Sequence, residues 1–205
     1  MTPEITIVAH AVNSDSETQF CAQEGIFIET DLHKGIIIKR LRRTHNGFKG
    51  LAGFGSSLEP LKGYPGDLIA DLNHPISRNY ADDVSKKLIS LGLTGISICG
   101  LDFQVVSDVS KLTDSQAIYT LNGPNKIKEF LTNYQNLTPA SGFSINHPVV
   151  TAELIAQLKQ VSGADIFYAW LVDTIEGAKK QIAQGITGII TNEYVMMRQA
   201  FAQAA

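Results

Sequence analysis

Glu29 and Asp31 stand two residues apart in the apolar, β-branched run Ile26 to Asp31. Side chains alternate along a strand, so both carboxylates leave the same face, and held that close they repel unless a cation lies between them. A divalent metal is the natural counter-charge. Asp71, near the end of another such run, adds a third oxygen and leaves positions for water and substrate. An all-oxygen set of this kind suits one hard ion, Mg2+ or Ca2+. Other polar side chains fall at matching places: His10 after Ile5 to Ala9, Asn73 after Leu68 to Leu72, and His147 after Gly142 to Asn146. Trp170 closes the run Ile166 to Trp170, and Asn192 follows Gly188 to Thr191. Chemistry-bearing residues at the ends of so many short runs require an architecture that gathers those ends.

The runs alternate with helical pattern from one end of the chain to the other. With Gly95 to Cys99 and Ala117 to Leu121 they make eight predicted strands. Helices are predicted over Ser14 to Gln23, Asn79 to Ser90, Phe103 to Ser110, Lys126 to Tyr134, Val150 to Val161, Thr174 to Gln184 and Glu193 to Gln203. Ser14-x-x-Glu17 and Asn79-x-x-Asp82 read as capped helix starts, and Gly92, Gly163 and Gly185 as left-handed helix ends. This rhythm predicts an α/β protein, a single-domain (β/α)8 TIM barrel over residues 1–205, compact and without a large inserted cap domain. In such a barrel the C-terminal strand ends build the active site, which is where the polar residues fall. A doubly wound open sheet is the alternative, but no glycine-rich loop follows the first strand to support dinucleotide binding. Residues Gly35 to Thr44 are too β-branched and too basic for a crossover helix, and they predict a hairpin with Lys34-Gly35 at its turn.

The segments His10-Ala-Val-Asn13, Ile28-Glu-Thr-Asp31, His45-Asn-Gly47, Asp71-Leu-Asn73, Tyr168-Ala-Trp-Leu-Val-Asp173 and Gly188-Ile-Ile-Thr-Asn192 resemble the glycerophosphodiester phosphodiesterase superfamily. Within it, the His-x-Val-Asn and Ile-Glu-Thr-Asp runs are closer to the sphingomyelinase D-like phospholipases. The resemblance covers both ends of the chain and is weak between residues 100 and 140. It implies a (β/α)8 barrel, a small-molecule phosphodiester or lysophospholipid substrate, and metal ligation by Glu29, Asp31 and Asp71. It also implies that His10 and His45 are the two catalytic histidines. Phosphodiester cleavage needs a base for the attacking oxygen, an acid for the leaving alkoxide and positive charge for the phosphoryl oxygens, and two histidines with one metal supply that set. The family mechanism further implies that a substrate hydroxyl can attack and give a cyclic phosphate. Asn73, His147, Trp170 and Asn192 are the expected substrate-binding residues, although Trp170 as core packing and Asn192 as a helix cap are equally ordinary uses of those residue types.

Two departures bear on phosphate binding. Ala11 stands where many members carry Arg after the first His, and Asn73 where they carry Lys. Lys39, Arg40, Arg42 or Arg43, rising on the hairpin beside His45, are the cations available to replace them. Their loss also motivates a different class of function, a non-catalytic binding or regulatory barrel. An isomerase or aldolase is disfavoured because no lysine closes a predicted strand. With 17 Lys+Arg against 20 Asp+Glu the net charge is -3, which argues against binding nucleic acid by bulk electrostatics. Two cysteines, Cys21 and Cys99, are too few to staple a secreted scaffold. No run approaches the roughly 18 apolar residues of a membrane span, and Met1-Thr2-Pro3-Glu4 lacks a basic region followed by an apolar one. The expectation is a cytoplasmic protein with free thiols and no stable membrane anchor.

Overall fold

A computed structural model describes residues 5–34, 41–45, 55–72 and 79–202. Its strands are β1 (Thr6–Ala9), β2 (Phe27–Lys34), β3 (Leu41–Arg43), β4 (Leu68–Leu72), β5 (Ser97–Gly100), β6 (Gln116–Leu121), β7 (Gly142–Asn146), β8 (Ile166–Trp170) and β9 (Gly188–Thr191). Every barrel pairing is parallel, in the order β1-β9-β8-β7-β6-β5-β4-β2, and β1 also pairs with β2, which closes the circle. That closure excludes the open sheet. The short β3 lies outside the barrel and pairs antiparallel with the end of β2.

Helices α1 (Asp15–Gln23), α2 (Tyr80–Ser90), α3 (Phe103–Thr113), α4 (Pro124–Asn133), α5 (Ala152–Ser162), α6 (Ile175–Ala183) and α7 (Tyr194–Ala202) connect or follow the strands. Alternation along the strands sorts side chains into two cores. Val8, Ile69, Cys99, Ile118 and Ile190 pack with Phe27, Tyr168 and Trp170 as one cluster. The intervening positions, among them Ile7, Ile28, Ala70, Ile98, Tyr119, Ile145 and Ala169, pack in a second cluster with helix residues such as Val84, Val106 and Leu158. The first cluster fills the barrel, and the second seals strands to helices. Glu29 and Asp31 share the inward phase of Phe27, and Asp71 that of Ile69.

Local signals account for most boundaries. Ser14 and Glu17 form the expected capping box at α1. Gly163 closes α5 at φ 72, a conformation that burdens a residue with a Cβ. Asn79 precedes α2, but its side chain makes no capping bond. Helix α4 starts at Pro124, two residues before the expected Lys126, because proline at the first helical position lacks only an N–H that would have had no partner there. Helix α3 runs past Ser110 to Thr113 and ends on Asp114 in the left-handed region. Lys34 is still paired, with Leu41, so it belongs to the strand rather than to the turn expected at Lys34-Gly35. Gly35, Lys39, Arg40, the loop from Gly47, Asn73 and Gln203 lie outside the described residues.

Candidate active site

The strand register sets Asp31 beside Asp71 on neighbouring β2 and β4, with Glu29 one inward step below Asp31. One oxygen from each of Glu29, Asp31 and Asp71 lies within 4.8 Å of the others. Glu29 and Asp31 are buried, 4% and 3% exposed. Burial first, then the charges of Asp31 and Asp71, push the Glu29 carboxyl well above the usual carboxylate range. Like charges packed this way inside a protein call for a cation, and an all-oxygen donor set at a strand-end mouth fits a hard divalent ion. Two backbone-anchored groups fix the carboxylates. Ala11, at φ 52, donates its N–H to Glu29 Oε2 at 2.7 Å. Asn13 donates Nδ2 to Asp31 Oδ2 at 2.7 Å, while its Oδ1 accepts from Thr30 Oγ1 and the Asp31 N–H, each at 3.0 Å. Beside Asp71, in register on β5, the buried Cys99 thiol lies 3.4 Å from Asp71 Oδ1.

The two histidines stand over this cluster with ring centroids 5.4 Å apart and planes at 76°. His10 follows β1 and its Nδ1 lies 3.1 Å from Asn192 Oδ1. Asp173 decides the polarity of that bond. Its carboxylate accepts from Thr191 Oγ1 and the Asn192 N–H at 2.9 Å each, and from Asn192 Nδ2 at 3.0 Å. A carboxylate only accepts, so Asn192 must turn its amide towards Asp173 and its oxygen towards His10. His10 then donates through Nδ1, and its bare Nε2 faces the cluster, 3.9 Å from Glu29 Oε2. Burial lowers the His10 pKa, outweighing the opposing influence of Asn192, Asp31 and Asp173. Asp173 sits below the ordinary carboxylate value: burial works against its ionisation, and the bonds from Asn192 and Thr191 overcome it. His45, two residues beyond β3, places Nδ1 3.2 Å from Asp31 Oδ2, with a side chain 69% exposed.

His10, His45, Glu29, Asp31, Asp71 and Asn192 are therefore brought together at the C-terminal mouth. Asn192 does not cap α7; its side chain is spent between Asp173 and His10. Trp170 packs on the inner cluster, and its buried Nε1 has no hydrogen-bond partner among the described residues. His147 lies exposed on the rim after β7, where its carbonyl accepts from Gln181. Arg43 is not a free phosphate-binding cation: it is buried and bonded to Asp15, Thr18 and Ser57. Arg42 lines a surface groove with Lys34, Glu59, Asp83 and Lys87 that includes none of the carboxylates or histidines above. Asn13, Cys99 and Asp173 had no role assigned from sequence, although Asn13 stands four residues past the end of β1 and Asp173 three past the end of β8.

No family model matches the chain, and no curated protein matches it in sequence. Solved structures do match. One, assigned as a glycerophosphoryl diester phosphodiesterase of Silicibacter pomeroyi, superposes with a TM-score of 0.78 at 12% identity, over 100% of this chain and 95% of that one. A phosphodiesterase of Oleispira antarctica, in complex with the product sn-glycerol-3-phosphate, superposes at 0.73 with 11% identity over 96% of each chain. A glycerophosphodiester phosphodiesterase of Thermotoga maritima gives 0.70 at 14% identity, over 96% of this chain and 98% of that one. The chain shares their fold. At such identities the likeness extends to architecture alone, and the chemistry must be argued from the side chains. Among the described residues, no helix is long and apolar enough to cross a membrane, and Cys21 and Cys99 are free and buried.

Proposed function

We propose that this barrel is a metal-dependent phosphodiester hydrolase acting on a glycerophosphodiester or a phospholipid headgroup ester. The observation that carries the reading is a pair of histidines facing each other over three converging carboxylates, each histidine with its Nδ1 engaged and its Nε2 left for chemistry. The likeness to structures that include a glycerol-3-phosphate complex supports the substrate class. Glu29, Asp31 and Asp71 would hold one divalent ion, Mg2+ or Ca2+, which supplies charge to the phosphoryl oxygens and lowers the charge density of the carboxylates.

The chain's own residues supply the proton transfers. His10, kept neutral by burial and held in one tautomer by Asn192, accepts at Nε2 the proton of the attacking oxygen, from water or from a substrate hydroxyl. The new O–P bond forms as the bond to the leaving alkoxide breaks. His45, donating Nδ1–H to Asp31, gives its Nε2 proton to that alkoxide, and its exposure lets the released alcohol leave towards solvent. Attack by a substrate hydroxyl would give a cyclic phosphate. The Trp170 ring would wall the pocket from the inner cluster, and His147 stands on the rim of the same mouth. The barrel over residues 1–205 works as one domain in a cytoplasmic setting.

Phosphorus NMR of the protein with glycerophosphocholine, lysophosphatidylcholine and an aryl phosphodiester tests this, each with Mg2+, Ca2+ or chelator. The expected result is metal-dependent loss of the diester signal that His10→Ala and His45→Ala abolish. A second reading, a binding barrel, is favoured by the absence of a side chain beyond Cβ at Ala11 and by the commitment of Arg43 elsewhere. Metal binding removed by Glu29→Ala, with no diester turned over, would establish that reading instead.

A further inference from the structure

We infer that Arg43 is a positioning residue for His45, acting through a buried guanidinium clamp on helix α1. Among the described residues the His45 side chain, 69% exposed, has one hydrogen bond, to Asp31, and an edge-on ring contact with His10. Its location must come from the backbone just before it. Thr44 donates its N–H to the Asp31 carbonyl at 3.2 Å, and Arg43 exchanges both backbone bonds with Ser56 at 3.1 Å. Strand β3 itself has three residues and, among the described strands, pairs only with β2, so a side-chain anchor adds to a short ladder.

Arg43 completes the anchor. It is 1% exposed, yet all three of its nitrogens are used: Nε donates to Ser57 O at 2.6 Å, Nη1 to Thr18 Oγ1 at 2.6 Å and Nη2 to Asp15 Oδ1 at 2.5 Å. Thr18 is held in turn by its bond to Ser14 O at 2.8 Å, inside the capped first turn of α1. The clamp therefore fixes β3 to the start of the helix that follows His10 and Asn13. Both histidines and the Asp31-orienting Asn13 become referenced to one rigid turn. A guanidinium suits the task because its fork points at three partners at once, which an ammonium cannot reproduce.

The kinetic part of the test rests on the proposed two-histidine reaction, and the spectroscopic part does not. Long-range proton–nitrogen NMR of the histidine rings, with divalent ion present, reads His45 directly. In Arg43→Met, which fills the same volume without charge, the His45 ring signals should shift and lose the signature of an Nδ1 proton shared with Asp31. Metal affinity should stay at the wild-type value, since Ala11 and Asn13 still orient Glu29 and Asp31. In the turnover assay kcat should fall about 100-fold, the cost of a misplacement near 1 Å, with KM little changed. Should that variant fail to fold, Asp15→Ala removes the exposed partner alone, and its His45 signals should move the same way by less. Arg43→Lys should recover only part of the loss. If the wild type turns over no diester, the ring signals still decide. Wild-type His45 signals in both folded variants, or in Asp15→Ala alone where Arg43→Met does not fold, would overturn the inference and leave Arg43 a stabilising residue only.

Discussion

His10 owes its proposed role to a residue it does not touch. Asp173 accepts three hydrogen bonds from Thr191 and Asn192, and that demand leaves only an oxygen for His10. Asp173→Ala removes the constraint, so Asn192 can rotate and present its amide, which would bind the wrong tautomer of the imidazole. The expected outcome is a loss in kcat of roughly 10- to 100-fold, the usual range for a partner that orients a functional histidine, with the barrel's circular dichroism unchanged. The pH profile separates this from simple destabilisation. Burial depresses the His10 pKa below the ordinary 6.5, so the acid limb of kcat/KM for the wild type should lie below that value. In Asp173→Ala two supports of the imidazolium, the nearby charge and the settled Asn192 oxygen, are both lost, so the limb should move further towards acid. An acid limb above 6.5 in the wild type, or one that stays put in the variant, would remove His10 from the role of base.

At the scale of elements, the barrel depends on places where a strand carries no side chain. A Cβ on Gly142 of β7 would meet Ile166 Cβ of β8 at 2.6 Å, and one on Gly188 of β9 would meet the Tyr168 ring at 2.6 Å. Gly142→Ala should therefore push β7 from β8 and cost about 1–3 kcal/mol. A thermal melt would show this as a Tm several degrees lower, with the carboxylate cluster on β2 and β4 still binding metal. An unchanged Tm would mean that the two strands have slack there. The same elements explain what was legible in the chain. All eight barrel strands were readable because apolar runs of four to eight residues alternate with helix signals, and closure followed from their number. Glu29, Asp31 and Asp71 were readable because strand alternation is a rigid rule. The Arg43 clamp was not, since its partners Asp15, Thr18 and Ser57 come from a helix and a loop that no periodicity relates to β3. Asp173 escaped for the same reason: its function exists only after β8 and β9 lie side by side.

For the whole molecule, the carboxylate cluster makes stability, proton binding and metal binding one problem. Glu29 is held protonated more readily in the folded chain than its ordinary value of 4.5, because burial and the charges of Asp31 and Asp71 oppose its ionisation. A carboxyl raised on folding contributes most below its unfolded pKa, and that contribution is lost as pH rises through the folded pKa. Taken alone, this group makes the metal-free protein less stable as pH climbs from about 4.5 upwards. A divalent ion reverses the sign, since it binds the ionised cluster and competes with the proton. Its stabilisation should therefore grow across the same window. At an ion concentration 100 times its dissociation constant the gain is about 2.7 kcal/mol, or roughly 5–10 °C in Tm for a chain of this size. Paired melts from pH 4.5 to 8, with chelator and with Mg2+ or Ca2+, measure the gap between the two curves, and other titrating groups largely cancel in that difference. The gap should widen with pH in the wild type and shrink in Glu29→Gln, which cannot ionise. A gap that stays constant with pH would mean that the ion binds somewhere other than these three carboxylates.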